Sequence, residues 1–215
     1  MIHILSQKNS IFNQFLLELR DENIQKDSMR FRRNIERIGE VMAYEISKHL
    51  EYYEKDVTTP LGIANISIIK DQPVIASILR AGLPLHMGIL NYFDSAPNAF
   101  ISAYRKHHKD GTFDIQIEYL ASPDLTGKDL IICDPMLATG QSMVLTFQAL
   151  LKRGIPRHAH IVSVIASNEG VDYAKKHLPS NTTLWVGAID QELTAQSYIV
   201  PGLGDAGDLA YGQKI

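Results

Sequence analysis

The chain has 215 residues, of which 24 are acidic and 21 are Lys or Arg, so its formal net charge is −3 at pH 7. This charge argues against a nucleic-acid partner, because such binding usually rests on a positive surface that neutralises phosphates. The most apolar region, from Val74 to Leu90, is interrupted by Arg80 and His86 and falls short of the roughly 20 apolar residues that cross a bilayer. The single cysteine cannot form an internal disulfide, and the first residues lack the charged and apolar blocks of a signal peptide. We therefore expect a cytoplasmic protein.

The first 57 residues are predicted to form an N-terminal helical arm, because apolar residues follow helical spacing in two stretches. The first stretch contains Ile11, Phe12, Phe15, Leu16 and Leu19, and the second, from Asp27 to Leu50, contains Phe31, Ile35, Ile38, Met42 and Ile46. Asp27 or Ser28 can cap the second helix. Its Arg30, Arg32 and Arg33 are interpreted as a solvated face.

Residues 73–215 form the predicted core, in which short β-rich runs alternate with helical segments. Strands are predicted at Val74–Leu79, Ala99–Tyr104, Leu130–Cys133, Ile161–Ala166 and Leu184–Ile189, and helices at Leu85–Phe93, Ser142–Arg153 and Val171–Leu178. This alternation predicts an α/β fold with a doubly wound parallel sheet flanked by helices, whose ligands bind beyond the carboxyl ends of the strands. Residues 58–72 are interpreted as a small hood or hairpin between arm and core, within one domain over 1–215.

The strongest chemical signal is a segment that leaves a predicted strand, turns on small residues and enters a predicted helix. It comprises Cys133, Asp134, Pro135, Met136, Leu137, Ala138, Thr139, Gly140, Gln141 and Ser142. Backbone N–H groups at a helix N-terminus bind phosphate, and the hydroxyls of Thr139 and Ser142 can also donate. Asp134 is placed to accept hydrogen bonds from ribose hydroxyls. From spacing alone, the alternative is a tight turn that Asp134 merely caps.

Three further segments carry candidate binding groups. Ile78 to Leu83 ends the first core strand with small residues, and its Arg80 is either a ligand or one half of a surface ion pair. Tyr104 and Arg105 end the next strand. The glycine-rich stretch from Tyr198 to Asp208 lets backbone groups approach a small planar molecule, unless it is a structural turn.

Together these segments resemble the uracil phosphoribosyltransferases, a branch of the type I phosphoribosyltransferases. Asp-Pro-Met-Leu-Ala-Thr-Gly is similar to their loop for phosphoribosyl pyrophosphate (PRPP), and Ile-Leu-Arg-Ala-Gly-Leu to their pyrophosphate loop. Tyr-Ile-Val-Pro-Gly-Leu-Gly-Asp-Ala-Gly-Asp is similar to their uracil-recognition segment. The resemblance extends to Arg32–Leu50 and to Asp190-Gln191. It implies the type I fold and a pyrimidine-salvage reaction in which uracil and PRPP give UMP and pyrophosphate.

The resemblance also implies roles for individual residues. The implied catalytic residues are Asp134, Arg80 and Arg105. Implied PRPP contacts are Arg80, Arg105, Asp134, Pro135, Met136, Leu137, Ala138, Thr139, Gly140, Gln141, Ser142 and Asp205. Implied uracil contacts, mostly through backbone, are Ile199, Gly204, Asp205 and Ala206. Mg²⁺ is expected to arrive with PRPP rather than in a protein cage.

Other family properties are expected less directly. Some members are activated by GTP, which makes GTP a candidate effector here. A homo-oligomer is expected, with the apolar N-terminal helices as a candidate dimer interface. In the family the backbone around Arg80 and Ala81 is strained, in some cases with a non-proline cis bond. The charged turn from Lys106 to Gly111 is either a lid over the diphosphate or an exposed hairpin tip.

Two positions depart from the common type I pattern. Cys133 replaces the first of two adjacent acids, as is typical of the uracil branch, and is interpreted as a core residue. Gln141 stands where the family often has a second glycine. The competing function is a regulator that keeps this fold and binds RNA, which predicts a basic patch and an eroded base pocket. Transfer to xanthine or orotate is a second alternative, and no general base is assigned.

Overall fold

The computed structural model describes residues 1–107 and 113–213, and its side-chain description leaves out 103–116. The strands are β1 (Ile2–Ile4), β2 (Tyr52–Thr59), β3 (Gly62–Ile69), β4 (Val74–Leu79), β5 (Asn98–His107), β6 (Phe113–Ala121), β7 (Asp129–Cys133), β8 (Met136–Leu137), β9 (His158–Ser167), β10 (Thr182–Asp190), β11 (Glu192–Leu193) and β12 (Ile199–Val200). The helices are α1 (Ile11–Arg20), α2 (Ser28–Ser47), α3 (Leu83–Leu90), α4 (Gln141–Leu150), α5 (Asn168–His177) and α6 (Ala206–Tyr211).

The main sheet has the order β1-β10-β9-β7-β4-β5-β6, with β8 extending the pairing along β9. Its strands run parallel except for β6, which pairs antiparallel with β5. From β4 the chain passes through α3 to β5 on one side, and it later returns to β7 on the other side. The strand order therefore reverses between β4 and β7, and in open α/β sheets ligands bind at such a switch point. The predicted doubly wound architecture is confirmed.

Helices cover both faces of the sheet, because successive strand residues point to opposite sides. Ile75 and Ile131 belong to a core cluster shared with residues of α1, α2 and α3. Their neighbours Val74 and Leu130 belong to a second cluster shared with residues of α4 and α5. These near-continuous apolar strands are buried on both faces, as expected for a parallel sheet between two helical layers.

The N-terminal region differs from the predicted arm. Ile2–Ile4 pair with Leu184–Val186 as an edge strand of the main sheet. The apolar stripe of α2, from Phe31 to Ile46, is buried within the chain's own core. The stripe therefore belongs to the chain's own core, and a dimer interface on the outer faces of these helices stays a prediction. Asp27 caps α2 as predicted, since its carboxylate accepts hydrogen bonds from the N–H groups of Met29 and Arg30.

Arg30 and Arg33 of α2 are exposed, as predicted for a solvated face, and Arg32 is partly buried. Arg30 donates to Glu18, with Nη2–Oε1 at 2.8 Å, and this hydrogen bond lowers the pKa of Glu18 to about 2. Arg32 donates to the carbonyl of Ala210 at 2.6 Å, and Arg33 pairs with Glu36 at 2.7 Å. Each of the three has a partner within the chain: Glu36 lies one turn along α2 itself, whereas Glu18 and Ala210 come from α1 and α6.

The hood is a separate two-stranded sheet formed by β2 and β3, paired from Tyr52↔Ile69 to Thr59↔Gly62. The hairpin begins at Tyr52, earlier than the predicted start at residue 58. The sequence did not indicate this start because β2, which reads Tyr-Tyr-Glu-Lys-Asp-Val-Thr-Thr, has no apolar face. Every residue of β2 is exposed. The hairpin is thus a solvent-exposed element that leaves the packed core.

Other boundaries differ more modestly. β5 continues to His107, beyond the predicted end at Tyr104, and pairs with an unpredicted β6. Part of the candidate lid from Lys106 to Gly111, and the side chain of Arg105, lie outside the described residues. The predicted helix to Arg153 ends as an α-helix at Leu150 and continues as a 3₁₀ turn. In the described part of the chain, no helix is long and apolar enough to cross a membrane.

Candidate active site

A cavity of about 790 Å³ lies where β4 and β7 end, at the switch point of the sheet. This volume is within the range of small-molecule sites. Its walls come from the end of β4, from β5, from the turn into α4 and from the C-terminal region: residues 78–81, Ser102, Asp134, 136–140, 142–143, 196–198 and 205–207. We call residues 134–142 the phosphate loop and residues 196–207 the base loop. Both loops and the Arg80 segment, predicted separately from sequence, meet in this cavity.

The phosphate loop is held by main-chain contacts. Its Pro135 carbonyl accepts hydrogen bonds from the N–H groups of Val164 and Ile165, both at 3.0 Å, and β8 pairs with β9. Gly140 has φ +77°, a left-handed conformation that favours glycine, and α4 begins at the next residue. The loop therefore presents the N-terminus of α4 to the cavity, in the geometry that binds anions.

The back of this loop is supported by the start of α5. Ser167 donates a hydrogen bond to the carbonyl of Ala138 and accepts one from the N–H of Gly170 at 2.8 Å. Sequence reasoning missed both residues, since this contact joins segments about thirty residues apart. The support leaves the hydroxyls of Thr139 and Ser142 on the cavity side.

Asp134 follows β7 directly and lies in the cavity wall. Its Oδ1 accepts a hydrogen bond from the N–H of Met136 at 3.3 Å. Burial raises the pKa of this carboxyl to about 7, and the bond from Met136 offsets only part of the desolvation. The adjacent Cys133 is fully buried, and burial raises its thiol pKa above the usual range. Cys133 is therefore a core residue without nucleophilic character, as predicted.

Arg80 lies at the opposite wall, just after β4, and the Leu79–Arg80 peptide is cis. Its Nη2 donates to Asp208 Oδ1 at 3.1 Å and to the carbonyl of Gly212 at 3.3 Å. The side chain is 39% exposed. Arg80 lines the cavity and forms an ion pair, so the ion-pair interpretation is confirmed and the ligand role stays a prediction.

The base loop enters the short helix α6. Asp205 Oδ1 accepts a hydrogen bond from the N–H of Asp208 at 2.9 Å, so Asp205 caps α6 while it lines the cavity. Arg32 also contacts α6, through the carbonyl of Ala210. Ser197 has φ +63°, in the left-handed region that non-glycine residues seldom adopt. The base loop therefore has a defined backbone conformation. Arg32 and Arg80 both contact α6, the helix that the loop enters.

The predicted site residues fall into three groups. Those that line the cavity are Arg80, Asp134, Met136, Leu137, Ala138, Thr139, Gly140, Ser142, Asp205 and Ala206. Pro135, Gln141, Ile199 and Gly204 are not in its wall, and Pro135 and Ile199 are buried behind it. The side chain of Arg105 is outside the described residues. Sequence reasoning missed the wall residues Ser102, Gln196 and Ser197, although Tyr198 was part of its motif.

The arrangement suits a substrate with two anionic groups joined by a polar ring. A helix N-terminus and Arg80 supply positive potential at two walls, and the carboxylates of Asp134 and Asp205 can accept hydrogen bonds from hydroxyls. In the described residues, no group of three or more His, Cys, Asp or Glu side chains could hold a metal ion.

Comparisons with known proteins agree with this geometry. A family model described as uracil phosphoribosyltransferase matches residues 6–213. A protein of that name from Porphyromonas gingivalis is 60% identical over 215 residues, which cover 100% of this chain and 99% of the relative. One from Pyrococcus furiosus is 37% identical over 205 residues, covering 94% and 86%. A solved structure of a protein from Aquifex aeolicus is similar with a TM-score of 0.86, 29% identity and full coverage of both chains.

Proposed function

Because the chain belongs to the uracil phosphoribosyltransferase family, we propose that its cavity joins uracil to PRPP, giving UMP and pyrophosphate. The observation that carries this proposal is the meeting of the phosphate loop, Arg80 and the base loop in one cavity. In the proposed complex the phosphate loop approaches the ribose 5-phosphate of PRPP, Arg80 approaches its diphosphate, and the base loop approaches uracil. The family is one of pentosyltransferases, and its reaction belongs to uracil salvage.

The ribose 5-phosphate is assigned to the phosphate loop. Backbone N–H groups at the start of α4 and the hydroxyls of Thr139 and Ser142 bind the phosphate oxygens. Asp134 accepts hydrogen bonds from the ribose hydroxyls. Its raised pKa supports this role, because a carboxyl that folding leaves desolvated gains from new hydrogen-bond donors.

The diphosphate is assigned to Arg80 and Arg105. A planar guanidinium can bind two phosphate oxygens at once, which favours arginine over lysine at these positions. Arg80 must then exchange its bond with the Gly212 carbonyl, and its pairing with Asp208, for the ligand. Mg²⁺ is proposed as part of the PRPP complex, where it supplies neutralisation of the diphosphate charge.

Uracil is assigned to the base loop. Asp205 and Ala206 lie in the cavity wall, while Ile199 and Gly204 enter the proposal through the family motif. Backbone groups can match the alternating carbonyls and N3–H of uracil. Cytosine reverses two of these hydrogen-bonding positions, so binding it would leave buried groups unpaired. The site is therefore proposed to select uracil over cytosine.

The proposed chemistry is a displacement at ribose C1. The bond from uracil N1 to C1 forms, the bond from C1 to the pyrophosphate oxygen breaks, and N1 loses its proton. The transition state has oxocarbenium character, and no covalent enzyme intermediate is involved. The chain contributes orientation through both loops and charge stabilisation through Arg80.

Three wider properties complete the proposal. We expect a homo-oligomer, and the exposed apolar residues Leu61, Ile63 and Ile66 of the β2–β3 hairpin offer contact area for it. GTP is proposed as an effector on the family resemblance. A cytoplasmic location suits Cys133, whose free thiol stays reduced there. Light scattering after gel filtration tests the oligomer directly, and a monomer would contradict it.

The deciding experiment measures UMP formation from PRPP and radiolabelled uracil with Mg²⁺. Parallel reactions contain cytosine, orotate or xanthine, and the series is repeated with GTP. Turnover with uracil alone supports the proposal, and a rate change with GTP supports the effector role. No turnover with any base, together with measurable PRPP binding, would contradict the proposal and favour a regulatory protein.

A further inference from the structure

A partly buried ion pair joins the end of α1 to the end of β10. Arg20 Nη1 lies 2.8 Å from Asp190 Oδ2, and Arg20 Nη2 lies 2.8 Å from Asp190 Oδ1. The side chains are 23% and 7% exposed. This two-point geometry is the strong form of an arginine–carboxylate pair and fixes the orientation of both groups.

Both members of the pair bind the same backbone residue in the base loop region. Arg20 Nη1 donates to the carbonyl of Gly202 at 3.0 Å, and the N–H of Gly202 donates to Asp190 Oδ2 at 3.0 Å. Gly202 has φ +62°, and a Cβ there would lie 2.0 Å from the carbonyl oxygen of Ile199. The pair therefore holds a tight turn by the two polar backbone groups of its central glycine.

This turn lies in the middle of the chain segment that carries the proposed uracil contacts. Gly202 follows Ile199 by three residues and precedes Gly204 by two, and all proposed uracil contacts lie between 199 and 206. Among the described residues, the only ladder here is the two-residue pairing of β11 with β12. A small shift of Gly202 would consequently move the backbone groups that face uracil.

We propose that Arg20 and Asp190 are positioning residues for uracil, which hold the base loop in its binding geometry without touching either substrate. This inference rests on the proposed function and adds a mechanism of specificity to it. The phosphate loop is anchored to β9 and α5, and in the described residues it has no hydrogen bond with Arg20 or Asp190. Uracil affinity is therefore more sensitive to the pair than PRPP affinity, because Asp205 is the one base-loop residue among the implied PRPP contacts.

The chain contains a matched control at the amino ends of the strands, opposite the carboxyl ends that form the cavity. Arg157 binds Asp129 in the same two-point manner, with Nε–Oδ1 at 3.2 Å and Nη2–Oδ2 at 2.6 Å. Asp129 is the first residue of β7, and its side chain is 6% exposed. Disrupting this pair tests the loss of a similar ion pair far from the cavity.

The experiment compares Asp190→Asn and Arg20→Lys with Asp129→Asn and Arg157→Lys. KM for uracil, KM for PRPP, kcat and Tm are measured for each variant and the parent. We expect about a tenfold or larger rise in KM for uracil in the Arg20 and Asp190 variants, because small misplacements of binding groups are costly. KM for PRPP should change less than about threefold, and the control variants should lose Tm with both KM values near the parent.

The outcomes separate this inference from the proposed function. An inactive parent enzyme refutes the function itself. An active parent with unchanged KM for uracil in the folded variants overturns the positioning role. That role is also overturned if both KM values rise together, or if the control pair raises KM for uracil equally. If Asp190→Asn fails to fold, the milder Arg20→Lys, which keeps the charge but loses the planar fork, decides the question.

Discussion

The phosphate loop and the base loop face each other across one cavity, yet they are held by different interactions. The phosphate loop follows a buried strand and is fixed by backbone hydrogen bonds from Val164 and Ile165 to Pro135. In the described residues, the base loop has a two-residue ladder and short turn bonds between Thr194 and Tyr198, and it depends further on charged side chains, including the pairs Arg20–Asp190 and Arg80–Asp208. A main-chain anchor survives most substitutions, whereas a side-chain anchor is lost with one residue. Single substitutions should therefore separate the two halves of the site.

The largest effect is expected for Asp134→Asn, which removes the negative charge and one of the two acceptor oxygens proposed for the ribose but keeps the shape of the loop. We expect kcat/KM for PRPP to fall about 10²–10³-fold, the range for losing one well-placed polar group at a reacting centre. Circular dichroism should be unchanged. Normal PRPP kinetics in the folded variant would remove Asp134 from its role.

Arg80→Ala is expected to have the next largest effect, and it tests whether the two loops are independent. Loss of charged hydrogen bonds of about 1.5–3 kcal/mol predicts a 10–100-fold loss in kcat/KM for PRPP. Because Arg80 also binds Asp208, a smaller rise in KM for uracil should accompany it. Asp208→Asn is the matched variant, and it should reproduce only the uracil effect. PRPP saturation equal to that of the parent would refute the diphosphate assignment.

Ala206→Val tests the base loop alone. Ala206 is buried in the cavity wall, and two added methyl groups there cost about 1–3 kcal/mol through overpacking. Calorimetry should show uracil affinity reduced about tenfold, with PRPP affinity retained. Unchanged uracil affinity would place the base elsewhere.

The smallest effect is on stability and comes from the raised pKa of Asp134. The unfolded carboxyl ionises near pH 4, whereas the folded one ionises at about pH 7, so the folded state keeps a proton that the unfolded state loses. The contribution of this group to the free energy of unfolding therefore falls as pH rises from about 4 to 7. Above about pH 7 the loss stays constant. Since the side chain is not fully enclosed, we expect Asp134→Asn to gain on the order of 1–2 kcal/mol at pH 8 and nothing near pH 4. Denaturant unfolding at both pH values measures this, and an equal difference at both would contradict it.

Sequence predicted the phosphate loop well because all its parts are adjacent: the buried strand, the small residues and the helix start lie between Asp129 and Leu150. It could not predict anchors formed across the chain. Arg20 and Asp190 are 170 positions apart, and Arg32 and Ala210 are 178 apart. No local spacing relates such residues, so the side-chain contacts that hold the base loop became visible only with the fold.

The same limit explains the missed strands. Ile2–Ile4 is too short to show alternation, and its partner lies at the far end of the chain. β6 does alternate, as Phe-Asp-Ile-Gln-Ile-Glu-Tyr, but it lies beyond a charged turn that the sequence left open between a lid and an exposed hairpin tip. Whether a short or polar segment forms a strand depends on the strands with which it pairs. A single sequence does not show those partners.

The pairing of β1 with β10 also has a consequence for synthesis on the ribosome. Ile2–Ile4 cannot find their partners until Leu184–Val186 have emerged, and Phe12 lies against Gly187. At about 5–20 residues per second, the apolar side chains of α1 wait on the order of ten to thirty seconds for these contacts. During that interval the face of Phe12 that later packs against Gly187 is uncovered in the nascent chain, where a chaperone can bind it.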